Sequence, residues 1–223
     1  MLGCDWYSID LMIDARTRAE YDRLLSSDER DRAMRLLDFQ HQNDFVAARG
    51  ALRSKLAPYT NCSPQALQFE YGDYGKPRLV DYPNLHFNLA HSNGRALIVV
   101  SETAVVGVDL EKVRSVPKLL ALAKRFLKSS EYETIVALPE PLQPEQFFAY
   151  WTCKEAYLKA IGSGLSQISN LELYIDKSVV TVLKSVTVLK SPSDRIFDLT
   201  RFDLACLDTT AIGFVGAVAI GSR

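Results

Sequence analysis

The residues best suited to chemistry lie together in Trp151-Thr152-Cys153-Lys154-Glu155-Ala156-Tyr157-Leu158-Lys159-Ala160-Ile161-Gly162. The Ala, Leu, Lys and Glu content of this stretch predicts a helix, and Gly162 is expected to end it. At 3.6 residues per turn, Trp151, Glu155 and Lys159 share one face, which places an acid and a base beside a large aromatic ring. An ordinary exposed Glu–Lys pair has the same spacing, so the helix alone leaves both interpretations open.

Two acids end an apolar run upstream of this helix. Val105–Glu111 is predicted to be a buried strand that forms a hairpin with Ala96–Ser101. Because residues i and i+2 of a strand face the same side, Asp109 and Glu111 present their carboxylates side by side. Such a pair repels unless a cation lies between the two groups, and magnesium takes oxygen ligands of this kind. A strand end that runs into solvent is the alternative.

Basic residues at four further positions could bind an anion. Arg49 and Arg53 are four residues apart in a predicted helix at 42–57, where two guanidinium groups could hold a phosphate or remain ordinary surface groups. Lys76 lies between Gly75 and Pro77 in a predicted loop. His91 follows a predicted strand and precedes a Ser-Asn-Gly turn, where small residues let a ligand approach the backbone.

The remaining elements alternate between helical and β patterns. Strands are predicted at 5–13, 67–71 and 85–90, helices at 16–39 (with a start at Ser26), 116–137 and 145–161, and an antiparallel sheet from 171 to 220. The order of elements runs through strands and helices roughly twice, so an α+β fold with an internal duplication is expected.

Composition narrows the class of protein. The chain has 223 residues, is 48% hydrophobic and 24% charged, and carries a net charge of -1, which suits a globular protein with a real core. This charge gives no electrostatic reason to bind nucleic acid or an anionic membrane, and neither a signal peptide nor a membrane span is predicted. The cysteines have no CxxC spacing, so free thiols and a cytoplasmic location are expected.

Four blocks occur in a fixed order along the chain: Gly75-Lys76-Pro77, Phe87-Asn88-Leu89-Ala90-His91-Ser92, Gly107-Val108-Asp109-Leu110-Glu111, and Trp151-Thr152-Cys153-Lys154-Glu155-Ala156-Tyr157-Leu158-Lys159. In this order they resemble the 4′-phosphopantetheinyl transferase superfamily, in its monomeric surfactin-synthetase-activator type. The resemblance extends from about residue 26 to residue 165. The last two blocks together carry its specificity.

The resemblance implies a fold and a reaction. Two similar α+β halves, 1–112 and 113–223, would be related by a pseudo-twofold axis and hold coenzyme A in the cleft between them. The enzyme would move 4′-phosphopantetheine from coenzyme A to a serine of an apo acyl or peptidyl carrier protein and release adenosine 3′,5′-bisphosphate. A monomer that binds neither nucleic acid nor membrane is expected.

The resemblance also implies residue roles. Asp109, Glu111 and Glu155 become ligands of magnesium, and Lys159 contacts the pyrophosphate. Lys76 and His91 bind the nucleotide part of coenzyme A, with His91 at its 3′-phosphate. The base that activates the serine is Glu155, either directly or through a magnesium-bound water, or else Lys154.

The chain departs from the family pattern at two positions. Ala90 stands where serine is common before the histidine, and Asp44 lies near a position that is often basic. Arg49, Arg53 or the pair Arg32 and Arg35 are expected to compensate for the acid at 44. Two other functions use similar residues, namely a magnesium-dependent nucleotide phosphohydrolase and a non-catalytic partner of a synthase.

Overall fold

The computed structural model describes residues 4–176, 179–185, 202–207 and 213–221. Ten strands are described: β1 Asp5–Asp10, β2 Phe69–Tyr71, β3 Pro77–Leu79, β4 His86–Ser92, β5 Arg95–Ser101, β6 Val106–Lys112, β7 Leu171–Asp176, β8 Val179–Ser185, β9 Phe202–Leu207 and β10 Phe214–Gly221. Six α-helices are described: α1 Ala15–Leu24, α2 Ser27–Met34, α3 Phe39–Leu56, α4 Leu119–Phe126, α5 Ser129–Val136 and α6 Gln143–Ile161. Residues 177–178, 186–201 and 208–212 of the sheet predicted from 171 to 220 lie outside the described residues. None of the described helices is long and apolar enough to cross a membrane.

The N-terminal sheet has the order β1-β5-β4 and is antiparallel. A two-residue turn joins β4 to β5, and both of its residues have positive φ, 45° at Asn93 and 79° at Gly94. This backbone matches the twist of the two strands, and asparagine and glycine adopt it most readily. Apolar side chains of α3 pack against this sheet, among them Leu52 and Leu56.

The C-terminal sheet has the order β6-β10-β9-β8-β7 among the described strands. All of its described pairings are antiparallel, which confirms the sheet predicted beyond residue 164. Helix α6 packs across this sheet through a core cluster that includes Tyr157, Ala160 and Ala217. The helix ends as predicted, because Gly162 adopts the left-handed conformation with φ 68° and caps it.

The predicted hairpin between β5 and β6 is wrong. Both edges of β5 are already paired, one with β1 and the other with β4, so no edge remains for β6. Strand β6 pairs instead with β10 and starts the second sheet. Two apolar runs separated by a short loop resemble a hairpin in sequence, but here the loop at 102–105 carries the chain from one sheet to the next.

Strand pairing shows how the two halves repeat. In each half the first strand pairs antiparallel with the last, β1 with β5 and β6 with β10, and helices intervene. The predicted division after residue 112 falls at the end of β6 and stays a prediction. Side chains bridge the two sheets, since Val108 N–H donates to Asn88 Oδ1 (3.0 Å) and Lys112 N–H donates to Ser92 Oγ (3.2 Å).

A buried glutamate holds a buried base in the N-terminal half. Glu29 lies in the first turn of α2 and accepts a hydrogen bond from the backbone N–H of Ser26, forming a capping box. Its carboxylate also binds the guanidinium group of Arg53 (Nε to Oε2, 2.7 Å). Arg53 in turn donates to the carbonyl of Leu67 (3.0 Å). These contacts tie α2 and α3 to the chain that follows α3.

The same arrangement recurs in the C-terminal half. Glu131 lies in the first turn of α5 and accepts from the backbone N–H of Lys128. Its carboxylate binds Lys154 Nζ of α6 (2.6 Å), and Lys154 donates to the carbonyl of Leu171 (2.8 Å). Lys154 thus corresponds to Arg53, and this correspondence links the two halves residue by residue.

Candidate active site

The alternation of side chains along β6 places its acids under α6. Val106, Val108 and Leu110 point into the apolar cluster shared with the N-terminal sheet. Asp109 and Glu111 point to the opposite face, since side chains alternate along a strand. Their partners across the sheet are Ala217 and Val215, which belong to the core beneath α6. Because apolar and polar side chains alternate along β6, both carboxylates point toward α6.

Gly107 sets the distance between this strand and α6. A Cβ atom at Gly107 would lie 2.1 Å from the carbonyl oxygen of Ala156 and 2.3 Å from the backbone nitrogen of Ala160. The helix backbone therefore rests directly on the strand, which only glycine permits. Glu155 and Lys159 each precede one of these alanines, so the close approach brings them to the acids of β6.

Lys159 and Asp109 form the central contact of the site. Lys159 Nζ lies 2.6 Å from Asp109 Oδ1. Asp109 is 5% exposed, and its Oδ2 is buried with no hydrogen-bond partner among the described residues. Burial raises the pKa of Asp109, although Lys159 opposes this shift. An unpartnered buried carboxylate oxygen is costly in free energy and is suited to a cation.

Glu155 and Glu111 complete a group of three interacting acids. Burial, with further effects of Asp109 and Glu111, raises the pKa of Glu155 from 4.5 to about 7, while Lys159 opposes the shift. Burial and the charge of Asp109 raise the pKa of Glu111. Ser92 Oγ donates to Glu111 Oε2 (3.2 Å). The three predicted metal ligands therefore act on one another's charge, although they come from a strand and a helix.

The described residues contain no group of three His, Cys, Asp or Glu side chains already arranged to hold a metal ion. Lys159 instead supplies the positive charge beside Asp109. The chemistry of the donors nevertheless fits magnesium, because three carboxylates interact and the buried Oδ2 of Asp109 has no partner. The ligand roles of Asp109, Glu111 and Glu155 remain predictions.

His91 lies near this group, at the end of β4. Desolvation lowers the pKa of its ring, and the charges of Asp44, Lys159 and Asp109 also act on it. Asp44 accepts a hydrogen bond from Gln40 (2.8 Å), so the acid that departs from the family pattern faces the first turn of α3. His91 is exposed, and a ligand can reach it.

Comparisons with known proteins decide the family. The model of the family ACPS, the 4′-phosphopantetheinyl transferase superfamily, matches residues 105–201. The 4′-phosphopantetheinyl transferase HetI of Nostoc sp. is 38% identical over 193 residues, which is 85% of this chain and 79% of that protein. The chain belongs to the 4′-phosphopantetheinyl transferase superfamily. The 4′-phosphopantetheinyl transferase Sfp of Bacillus subtilis is 33% identical over 157 residues, 65% of this chain and 69% of Sfp. The family resemblance and the enzyme class predicted from the sequence are confirmed.

In this member of the superfamily, Lys76 is not free for a ligand. Lys76 Nζ donates to the carbonyl oxygens of Val106 (2.9 Å) and Ala160 (2.7 Å). It thus joins its own loop to the start of β6 and to the last turn of α6, where helix carbonyls lack intrahelical partners. Burial lowers the pKa of Lys76 to about 7. In this conformation its ammonium group holds α6 against β6, and its predicted contact with the nucleotide part of coenzyme A stays a prediction.

Arg49 and Arg53 require a correction. Both bind the carboxylate of Glu29, and Arg49 also donates to Tyr71 Oη (2.9 Å). Arg53 is 1% exposed and Arg49 is 8% exposed. A buried ion pair therefore replaces the predicted phosphate contacts. Local spacing could not predict this pair, because Glu29 lies at least 20 residues from both arginines in the sequence.

Lys154 requires the same correction. Its side chain is fully buried against Glu131, so the ammonium group has no access to a bound serine. Burial lowers the pKa of Lys154, which would favour a base, but Glu131 opposes that shift. Trp151 is partly buried and packs against the core, since its ring stacks on Phe147 and meets Phe126 edge to face.

Sequence reasoning missed the partners of these bases. Glu29 was predicted only as part of a helix start, and Glu131 received no role. Both lie three residues after an N-cap, so the capping spacing marked their positions but not their burial. Sequence spacing also did not indicate that the hydroxyl group of Ser92 donates to Glu111.

Proposed function

We propose that the chain transfers 4′-phosphopantetheine from coenzyme A to a serine hydroxyl group of an apo acyl or peptidyl carrier protein, releasing adenosine 3′,5′-bisphosphate. One observation carries this proposal: Lys159, one turn from Glu155 on α6, binds Asp109 of β6, and the charges of Asp109, Glu111 and Lys159 all act on Glu155. Bases and acids in this arrangement suit a pyrophosphate substrate.

Lys159 is the residue that would bind the pyrophosphate. When the phosphoanhydride bond breaks, negative charge builds on the departing phosphate, and a cation placed beforehand stabilises it. Lys159 is already held in the site by Asp109, and its side chain is 32% exposed. A phosphate oxygen can therefore replace or join Asp109 as its partner. His91 would bind the 3′-phosphate, for which its exposure and its position beside Lys159 provide support.

Asp109, Glu111 and Glu155 would hold magnesium. The support is the type of donor and the buried, unpartnered Oδ2 of Asp109. When bound, magnesium would neutralise charge on the pyrophosphate of coenzyme A. Ser92 would orient the carboxylate of Glu111 through the hydrogen bond to Oε2.

Glu155 would accept the proton of the serine hydroxyl group. Glu155 lies among the acids of the site, and in the metal-free protein burial and the charges of Asp109 and Glu111 raise its pKa to about 7, so its carboxyl group can hold a proton there. Lys154, the other candidate for the base, is buried against Glu131. The proton would pass from the serine oxygen to a carboxylate oxygen of Glu155 as the serine attacks the β-phosphorus of coenzyme A.

The proposal includes a monomer in the cytoplasm that acts on carrier protein and coenzyme A and not on nucleic acid or membrane. The near-neutral net charge of -1 supports the absence of polyanionic partners. The four cysteines, which are free thiols in the structure, are compatible with a reducing compartment.

A labelling assay tests the proposed function. Purified protein, coenzyme A and an apo carrier are incubated with and without magnesium, and the mass of the carrier is measured. We expect labelling only with magnesium, and a loss of about 100-fold or more in Glu155→Gln, because removing a general base costs about this much. Glu133→Gln, an exposed acid of α5, is the matched control. Release of adenosine 3′,5′-bisphosphate without any carrier would favour a phosphohydrolase, and full labelling by both Glu155→Gln and Asp109→Asn would refute the site.

A further inference from the structure

Two thiols meet between α6 and the C-terminal sheet. Cys153 Sγ lies 3.6 Å from Cys206 Sγ. Cys153 of α6 is fully buried, while Cys206 of β9 is half-buried. The other two cysteines, Cys4 and Cys62, lie elsewhere, and Cys62 instead contacts the hydroxyl group of Tyr82. None of the described cysteines forms a disulfide.

Strand register places this pair in the same layer as the proposed active site. Cys206 lies opposite Ala217, and Ala217 lies opposite Asp109. Residues directly opposite each other in antiparallel strands share a face, so the three form a row across β9, β10 and β6 on the face that α6 covers. On the helix, Cys153 lies two residues before Glu155. Movement of α6 over Cys206 would therefore move Glu155 relative to Asp109.

We propose that Cys153 and Cys206 form a reversible oxidation site, at which hydrogen peroxide links α6 to β9 through a disulfide. A disulfide bond is about 2.05 Å long, so the two sulfur atoms must approach by roughly 1.5 Å. Side-chain rotation together with a small helix shift can supply a movement of this size. A small oxidant suits the site because Cys153 is fully buried.

The chemistry proceeds in two balanced steps. The half-buried thiol of Cys206 reacts first, since it is the more accessible of the two. Its sulfur attacks one oxygen of hydrogen peroxide, the O–O bond breaks, and the products are a sulfenic acid on Cys206 and one water. The sulfur of Cys153 then attacks the sulfenic sulfur, the S–O bond breaks, and a second water leaves. Two thiols are oxidised and one peroxide is reduced to two waters.

The disulfide also has a consequence for catalysis, and this part rests on the proposed function. Closing the S–S bond draws α6 toward β9 and so away from β6, on which Asp109 lies. The contact between Lys159 and Asp109 then lengthens, and Glu155 shifts from Asp109 and Glu111. Displacements of about 1 Å at a reacting centre cost on the order of 100-fold in rate, so we expect the oxidised protein to be the less active form. Disulfides of intracellular proteins are commonly transient sensors of this kind.

Peptide mass spectrometry tests the site itself. After brief treatment with hydrogen peroxide, we expect a cross-linked peptide pair containing Cys153 and Cys206, lighter by two hydrogen atoms and restored by dithiothreitol. Cys206→Ala should prevent the cross-link, and Cys62→Ala, which removes a thiol outside the pair, should leave it intact. In Cys153→Ala, the sulfenic acid on Cys206 should persist long enough for dimedone to trap it. Peroxide-treated protein in which both thiols stay free, or cross-links only to Cys4 or Cys62, would overturn the proposal.

A labelling assay on the same samples tests the consequence. We expect activity to fall on oxidation in wild type and Cys62→Ala, to return with dithiothreitol, and to change little in Cys206→Ala. Equal activity of the oxidised and reduced forms, with the disulfide present, would overturn the coupling to catalysis. Inactivity of the fully reduced protein would instead count against the proposed function, because the cross-link is detected without any substrate.

Discussion

Lys159 Nζ lies 2.6 Å from Asp109 Oδ1, and this contact joins the helix and the strand that carry the proposed site. Asp109 is almost fully buried, so its carboxylate has lost most of its hydration. Lys159 donates to Oδ1 and compensates for the lost hydration of that oxygen, while Oδ2 remains without a partner among the described residues. In the ligand-free protein, the ammonium group of Lys159 therefore supplies positive charge at the place where the proposed reaction requires a metal ion. In the proposed reaction, magnesium and Lys159 would therefore share a single carboxylate.

Replacing Lys159 with methionine should increase the stabilisation that magnesium gives. Without Lys159, the buried carboxylate of Asp109 loses its cation, and we expect the metal-free variant to lose about 1–2 kcal/mol of stability, since the lysine is partly exposed. Magnesium then supplies the missing charge and stabilises the folded state by binding to it. Thermal unfolding with EDTA and with magnesium measures both effects. Lys124→Met, an exposed lysine of α4, is the control, and an equal magnesium effect in both variants would argue against a shared carboxylate.

The raised pKa of Glu155 predicts how stability depends on pH. The folded protein keeps a proton on Glu155 up to about pH 7, whereas the unfolded chain releases it near its ordinary value of 4.5. Stability therefore falls as pH rises through this interval and stays low above it. Glu155→Gln removes the effect, so between about pH 5 and about pH 8 the variant should gain roughly 1–2 kcal/mol relative to wild type, after a discount for partial exposure.

Urea unfolding of metal-free protein across this pH range measures the difference. The pKa values of Asp109 and Glu111 are also raised, so wild type and Glu155→Gln both keep some pH dependence from these two acids. Lys159 opposes the shift at Glu155. Glu133→Gln should follow wild type, because its acid is exposed. Parallel curves for wild type and Glu155→Gln would show that Glu155 titrates normally.

Patterns of local spacing predicted the elements of the site. The helix with its glycine end, and the i, i+2 spacing of Asp109 and Glu111, needed only period-3.6 and period-2 reasoning. The order of the motif blocks then predicted that α6 and β6 meet. The structure agrees, because Lys159 of α6 binds Asp109 of β6 and the helix backbone rests on the strand at Gly107.

Local spacing could not reveal which basic residues are buried. Arg53 and Lys154 look like surface charges on helices, because the acids that bury them lie 24 and 23 residues earlier in the chain. The side of a helix that faces the core is decided by tertiary packing, which the sequence of one element does not contain. The order of elements predicted an internal duplication, but not the matching ion pairs, which use arginine in one half and lysine in the other.

Gly107→Ala should disturb the site without altering any charged group. The new Cβ would fall 2.1 Å from the carbonyl oxygen of Ala156, so α6 must move outward. We expect a loss of about 1–3 kcal/mol in stability from overpacking, and a fall in labelling rate of roughly 10- to 100-fold from the displaced helix. Gly72→Ala is a matched control for stability, because its nearest atom would be 3.8 Å away. Wild-type stability and rate in Gly107→Ala would mean that the helix does not depend on this contact for its position.

Variants of Lys154 and Glu131 test whether Lys154 stabilises the fold or acts as the catalytic base. Lys154→Met leaves the fully buried carboxylate of Glu131 without a cation, which should cost about 3–5 kcal/mol in urea unfolding. Adding Glu131→Gln removes that charge while keeping an acceptor for the backbone N–H of Leu173, so the double variant should be more stable than the single one by about 1–2 kcal/mol. Arg53→Met, the equivalent change in the other half, should lose less stability, because Arg49 still pairs with Glu29.

The double variant then decides the catalytic question. If Lys154 only supports the fold, labelling per folded molecule should stay within about 10-fold of wild type, whereas loss of a general base costs about 100- to 10,000-fold. Lys154 cannot reach a serine while its ammonium group is held by Glu131 and by the carbonyl of Leu171. A folded, stable double variant that no longer labels the carrier would therefore return Lys154 to the catalytic site and require α6 to rotate during the reaction.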